Sequence, residues 1–124
     1  MHVQIITFNL KGLSDEEYRA HCEAIAPAFA QLPGLLAKTW LANAETNTYG
    51  GVYLWRDRRS MESYERSDIY GGMLANPHLG GLVVRSFPVV EEATGITSNL
   101  GGAYGSDPGS RFVHAPAEPA LLEG

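Results

Sequence analysis

Two runs of the chain set aromatic rings beside a cation on alternate positions. Lys38 and Trp40 share a parity in Leu35-Leu-Ala-Lys-Thr-Trp-Leu-Ala42, and Tyr53 and Trp55 share one in Tyr49-Gly-Gly-Val-Tyr-Leu-Trp55. Residues two apart on an extended strand point to the same face. If a hairpin pairs Asn43 with Thr48, Lys38 stands opposite Tyr53, Trp40 opposite Gly51 and Leu36 opposite Trp55. An outer strand then extends the mixed face with His2, Gln4 and Phe8, and a last strand with Val83, Arg85 and Phe87. Rings interspersed with a few polar handles suit a flat, partly polar organic molecule. The same rings also suit a dimer interface, where aromatic side chains are enriched without any ligand.

The elements that must position these residues follow from periodicity. His2 to Asn9 alternates as a strand with both faces apolar. Ser14-Asp-Glu-Glu17 has capping-box spacing and opens a helix whose stripe is Tyr18, Cys22, Ile25, Phe29 and Leu32. Pro27 inside that stripe predicts a kink or a division into two pieces, and His21 is expected off the stripe. Strands follow at about 35–42 and 49–56. Asp57 or Ser60 caps a second helix carrying Met61 and Tyr64, broken by Gly71-Gly72 and Asn76-Pro77, before a final strand near 82–90.

This order is that of an α+β, ferredoxin-like βαββαβ protomer: an antiparallel sheet with helices on one face. In the reading adopted, Leu35, Ala37, Thr39, Leu41, Val52 and Leu54 lie beneath the helices and the aromatic face is open. Gly50 and Gly51 would let the sheet curve and make room for the Trp40 indole. An open aromatic face calls for a second copy, so a homodimer enclosing a barrel-like cavity is expected. Residues 1–100 form the domain, and 101–124 form a Gly/Pro-rich extension expected to pack on protein through Tyr104, Phe112 and Val113.

Composition narrows the classes. The chain has 124 residues, 44% hydrophobic and 19% charged, and a formal charge of −5, which argues against nucleic acid or an anionic membrane as partner. No apolar run approaches the roughly 20 residues of a membrane span. A single cysteine, Cys22, on an apolar helix stripe excludes a disulfide framework and a Cys-rich metal site. The histidines match no metal-ligand spacing, and no secretory pattern opens the chain, so cytoplasmic residence is expected.

Leu32-Pro-Gly-Leu-Leu-Ala-Lys-Thr-Trp40, with Asn43-Ala-Glu-Thr-Asn47 and Tyr49-Gly-Gly-Val-Tyr-Leu-Trp-Arg-Asp57, resembles the YdhR-like monooxygenase family of the dimeric α+β barrel superfamily. The likeness continues through Ser60–Tyr64 and Val83–Val90, over about residues 1–100. It implies a homodimer with face-to-face sheets that oxidises an aromatic or polyketide-like small molecule with molecular oxygen and without metal, flavin or haem.

In such chemistry the deprotonated substrate itself reduces oxygen, so the protein supplies a base, a cation and a dry pocket. On that reading Lys38 and Arg85 stabilise the developing anion. Trp40, Tyr53, Trp55, Phe87 and Phe8 hold the ring, and His2 or His78 serves as base. An isomerase or cyclase using the same proton transfer, and a non-catalytic dimeric module that binds a small ligand, remain open alternatives.

Overall fold

The computed structural model describes residues 1–98; the extension 101–124, with Tyr104, Phe112 and Val113, lies outside them. The chain divides into a unit spanning Met1–Val89 and another beginning at Val90. In the first unit the order is β1 (His2–Leu10), α1 (Asp15–Ala30), β2 (Leu35–Asn43), β3 (Thr48–Trp55), α2 (Arg58–Glu65), α3 (Asp68–Ala75) and β4 (Leu79–Pro88). A short helix that the sequence pattern did not suggest, α4 (Glu91–Thr97), belongs to the second unit. The strands form one antiparallel sheet in the order β2-β3-β1-β4, which is the ferredoxin-like α+β arrangement.

Local chemistry accounts for the helix starts. Ser14 and Glu17 make the reciprocal capping box expected of their spacing. Asp57 accepts the Ser60 amide at the start of α2. Pro27 removes one amide from α1 without dividing it, because Tyr18 and Phe29, on either side of it, are both buried in the core and hold the whole helix down. The break expected at Gly71-Gly72 falls earlier, at Arg66. There Ser67 accepts the Tyr70 amide and starts α3, which runs through both glycines. A side-chain cap of about 1 kcal/mol sets the boundary more strongly than glycine propensity does.

The hairpin register is the expected one at Asn43 with Thr48, Lys38 with Tyr53 and Trp40 with Gly51. It slips at its open end, where a bulge at Leu36 places Leu35 opposite Trp55. β4 begins at Leu79, and Gly80 and Gly81 fall inside it, at a second register shift between Thr7 and Asn9. Gly50 is required by its backbone: φ is +146°, and a Cβ there would overlap the Ile6 carbonyl. Gly51 clears the Lys38 stem rather than the Trp40 indole, since a Cβ would meet Lys38 Cε at 2.9 Å.

The largest departure from expectation is the face the helices cover. His2, Gln4, Ile6, Phe8 and Leu10 of β1 are buried, together with Tyr49, Tyr53 and Trp55 of β3, against Tyr18 and Phe29 of α1 and Met61 and Tyr64 of α2. The aromatic face is therefore the inner one, and a dimer joined through Trp40, Tyr53 and Trp55 is ruled out because helices already occupy that face. Aromatic side chains bury about 150–250 Å² each, so covering them removes more apolar surface from water than covering Val3, Ile5 and Leu54 would. β4 follows the same parity. Arg85 pairs with Ile5, Phe87 with Val3 and Val83 with Thr7, so all three lie on the outer face, away from Lys38.

Candidate functional site

A cavity of about 300 Å³ lies between the inner face of the sheet and α1, α2 and α3. The sheet contributes Phe8, Lys38, Trp40 and Tyr53 to its wall. Tyr18, His21, Cys22, Ile25 and Phe29 come from α1, and Tyr64, Ile69 and Met73 from the helices α2 and α3. The walls are mostly apolar. The polar groups that reach them are few, which is the composition of a site for a small organic molecule.

Lys38 is the centre of that polar set. Its Nζ lies 3.4 Å from the Trp40 ring centroid, 3.5 Å from that of Phe29 and 4.6 Å from that of Tyr53. Among the described residues no carboxylate pairs with it. Burial lowers its pKa to about 7, with the Cys22 thiol pulling weakly the other way. The ring faces favour the ammonium by about 0.5–2 kcal/mol and so oppose the effect of burial.

Two phenols complete the wall. The Tyr53 and Tyr64 hydroxyls stand 3.4 Å apart, and burial raises the pKa of both, so each remains a protonated hydrogen-bond donor at neutral pH. Burial likewise raises the pKa of the Cys22 thiol, which leaves it an uncharged wall group as its place on the helix stripe suggested. Behind the wall, Trp55 is fully buried and stacks on Tyr53 at 6.0 Å with 4° between planes. Its indole N–H donates to Gln4 Oε1 at 3.1 Å, and Gln4 Nε2 donates to Glu65 Oε2 at 2.8 Å. This chain fixes the plane of Tyr53 from beneath.

The cavity thus unites Lys38, Trp40, Tyr53 and Phe8 of the residues singled out in the sequence. Trp55 supports from the second layer, and His2 is buried on the same face but away from the wall. His78 engages the Lys11 carbonyl through Nδ1 at 2.8 Å and stays outside. Arg85 and Phe87 are on the outer face. Tyr64, Tyr18 and His21 were not anticipated as site residues. For His21 a signal existed: it stands three residues after Tyr18 and four before Ile25, so it borders the helix stripe. Among the described residues no cluster of three or more His, Cys, Asp or Glu could hold a metal, and no helix is long and apolar enough to cross a membrane.

The family model described as "Putative mono-oxygenase ydhR" matches residues 3–100, and the chain belongs to that family. No curated protein matches it in sequence. Among solved structures it resembles SnoaB, a cofactor-independent oxygenase from Streptomyces nogalater, with a TM-score of 0.59 and 18% identity over 73% of this chain and 93% of that one. It is as close to the heme-degrader MhuD from Mycobacterium tuberculosis, with a TM-score of 0.59 and 20% identity over 73% of this chain and 96% of that one. A protein of unknown function from Nitrosomonas europaea aligns with a TM-score of 0.61 and 13% identity, over 72% and 88% of the two chains. Identities this low establish the shared fold and leave the chemistry to the site.

Proposed function

We propose that this member of the family is a cofactor-independent monooxygenase that binds a flat aromatic or polyketide-like molecule in the cavity beneath its helices. The observation that carries the reading is Lys38, a caged amine with no carboxylate partner among the described residues, on the wall of an apolar cavity. Above about pH 7 its neutral form accepts a proton from the acidic methylene of an anthrone-like substrate. The resulting ammonium then lies beside the enolate oxygen, to which the Tyr53 and Tyr64 hydroxyls donate hydrogen bonds. The carbanion passes electrons to molecular oxygen and a carbon–oxygen bond forms. Cleavage of the O–O bond leaves one oxygen in the product carbonyl and releases the other as water. A CH₂ group and O₂ thus become C=O and H₂O, with the substrate as the only reductant.

In this reading the base is Lys38 rather than His2 or His78, and Arg85 has no part in the chemistry. Association as a homodimer uses the outer face instead of the aromatic one: Ile5, Leu54, Val83 and Phe87 form an apolar sheet surface on which no helix of residues 1–89 packs. Residence in the cytoplasm keeps Cys22 reduced.

Oxygen uptake with a panel of anthrones and phenols tests the proposal. Wild type is expected to consume oxygen and Lys38→Met to lose about 10²–10⁴ of the rate, while tryptophan quenching by the same compounds persists. Uptake unaffected by Lys38→Met would refute the role of the amine. Turnover without oxygen consumption would identify an isomerase or cyclase, and binding without turnover a ligand-binding module.

A further inference from the structure

Lysine is scarce in this chain: Lys11 and Lys38 are the only two, and arginine supplies the other basic residues. Lys11 is exposed, whereas Lys38 is held in the aromatic cage. The distinction is chemical, since arginine stays charged in proteins and a desolvated lysine does not. Among the described residues, the titratable groups that border the same cavity are Tyr18, His21 and Cys22 from α1, Tyr53 from β3 and Tyr64 from α2, with no Asp or Glu. The unprotonated fraction of an amine on the wall of an apolar cavity is a nucleophile as well as a base.

We propose that Lys38 is a covalent capture site for aromatic aldehydes and ketones, its Nζ forming an imine with a carbonyl carbon held against Trp40 and Tyr53. This rests on the cavity being an aromatic-binding site and not on the oxygenation. The Nζ lone pair bonds to the carbonyl carbon as the C=O π pair moves to oxygen, where the Tyr53 and Tyr64 hydroxyls stabilise the developing charge. Proton transfer from nitrogen to oxygen gives the carbinolamine. Loss of its hydroxyl with the remaining N–H proton, as water, leaves the C=N bond, and hydrolysis reverses the sequence. No oxidant or reductant takes part.

The full chain, incubated anaerobically at pH 7 with 2-naphthaldehyde and sodium cyanoborohydride, tests the assignment. Hydride addition to the C=N bond fixes the adduct as a secondary amine, and peptide mapping separates Lys38 from Lys11 and from the N-terminal amine. Lys38 is expected to label at least about tenfold faster than Lys11, with a rate that rises through a midpoint near pH 7. Lys38→Arg and Lys38→Met should both lose the fast adduct while keeping the cooperative melt of the parent. Labelling of Lys38 no faster than Lys11, or a fast adduct that survives either substitution, would overturn the proposal. If both variants unfold, the wild-type map alone decides. Oxygen uptake measured separately on the same protein distinguishes the two readings: uptake without an adduct removes the imine, and an adduct without uptake removes the monooxygenase.

Discussion

The two faces of the sheet are both largely apolar but carry side chains of different kinds. The inner face carries large rings, Phe8, Trp40, Tyr49, Tyr53 and Trp55, pinned by hydrogen bonds such as that between Trp55 and Gln4. The outer face carries Val3, Ile5, Val52 and Leu54, with Val83 and Phe87 at 42% and 49% exposure. Branched aliphatic side chains make a low, even surface that another sheet can cover closely. Large rings held at fixed angles instead leave space between them, and here that space is the cavity. The lesson is that hydrophobicity alone does not distinguish the two faces; the rigidity and polar pinning of the rings are what leave a cavity on one of them.

The comparison breaks most visibly if Trp55 is not the pin of the inner face. Trp55→Ala should cost about 3–5 kcal/mol in urea unfolding; Trp55→Phe, which keeps a ring but likewise leaves Gln4 Oε1 without its donor, should cost about 1–3 kcal/mol. Equal effects of the two would mean that the ring's packing is immaterial, and a Trp55→Phe change without cost would mean that the hydrogen bond is. A charge on the other face comes next. Leu54→Glu should weaken the proposed dimer by about 3 kcal/mol, seen as a shift to monomer in light scattering at micromolar concentration, because the carboxylate would be buried unpaired. A dimer that persists would move the interface elsewhere.

The third test uses pH. The pKa of Lys38 falls from its ordinary value to about 7 on folding, so between pH 7 and 10.5 the unfolded chain binds more protons and stability rises with pH. Below pH 7 the cost of burying the ammonium is fully present. Lys38→Met should therefore raise the melting temperature most at pH 6 and progressively less towards pH 10; a gain independent of pH would show the amine to be well solvated. The smallest effect belongs to Arg85→Met, which should leave oxygen uptake within about twofold of wild type. A loss comparable to that of Lys38→Met would abolish the distinction between the faces.

Much of this architecture was legible in the residues, and the failures have identifiable causes. Alternation and turn chemistry fixed Asn43 opposite Thr48, and hence the grouping of Lys38, Trp40 and Tyr53 on one face. Alternation could not say which face the helices cover, because in β1 both Val3 with Ile5 and Ile6 with Phe8 make a plausible core. Arg85 was misplaced for a related reason: its parity relative to β1 depends on the pairing with Ile5, and no local feature of β4 encodes that pairing. Tyr64 read as core, which it is at 3% exposure, yet its hydroxyl meets that of Tyr53 at the cavity wall. A buried residue can hold the core with its ring and serve a site with its oxygen.

The composition of α3 has a consequence for timing. None of its residues is buried, and a Cβ at Gly71 or Gly72 would meet nothing within 4 Å, so packing does not demand either glycine. Together they cost about 2 kcal/mol of helix stability relative to alanine, in the element that supplies Ile69, Gly72 and Met73 to the cavity wall. Melting of that turn would open the cavity wall, and the residence of a molecule bound there as proposed would then depend on helix propensity as well as on affinity for the rings. Gly71→Ala with Gly72→Ala should slow amide exchange in α3 and lengthen ligand residence together; slower exchange with unchanged residence would place the opening in another wall.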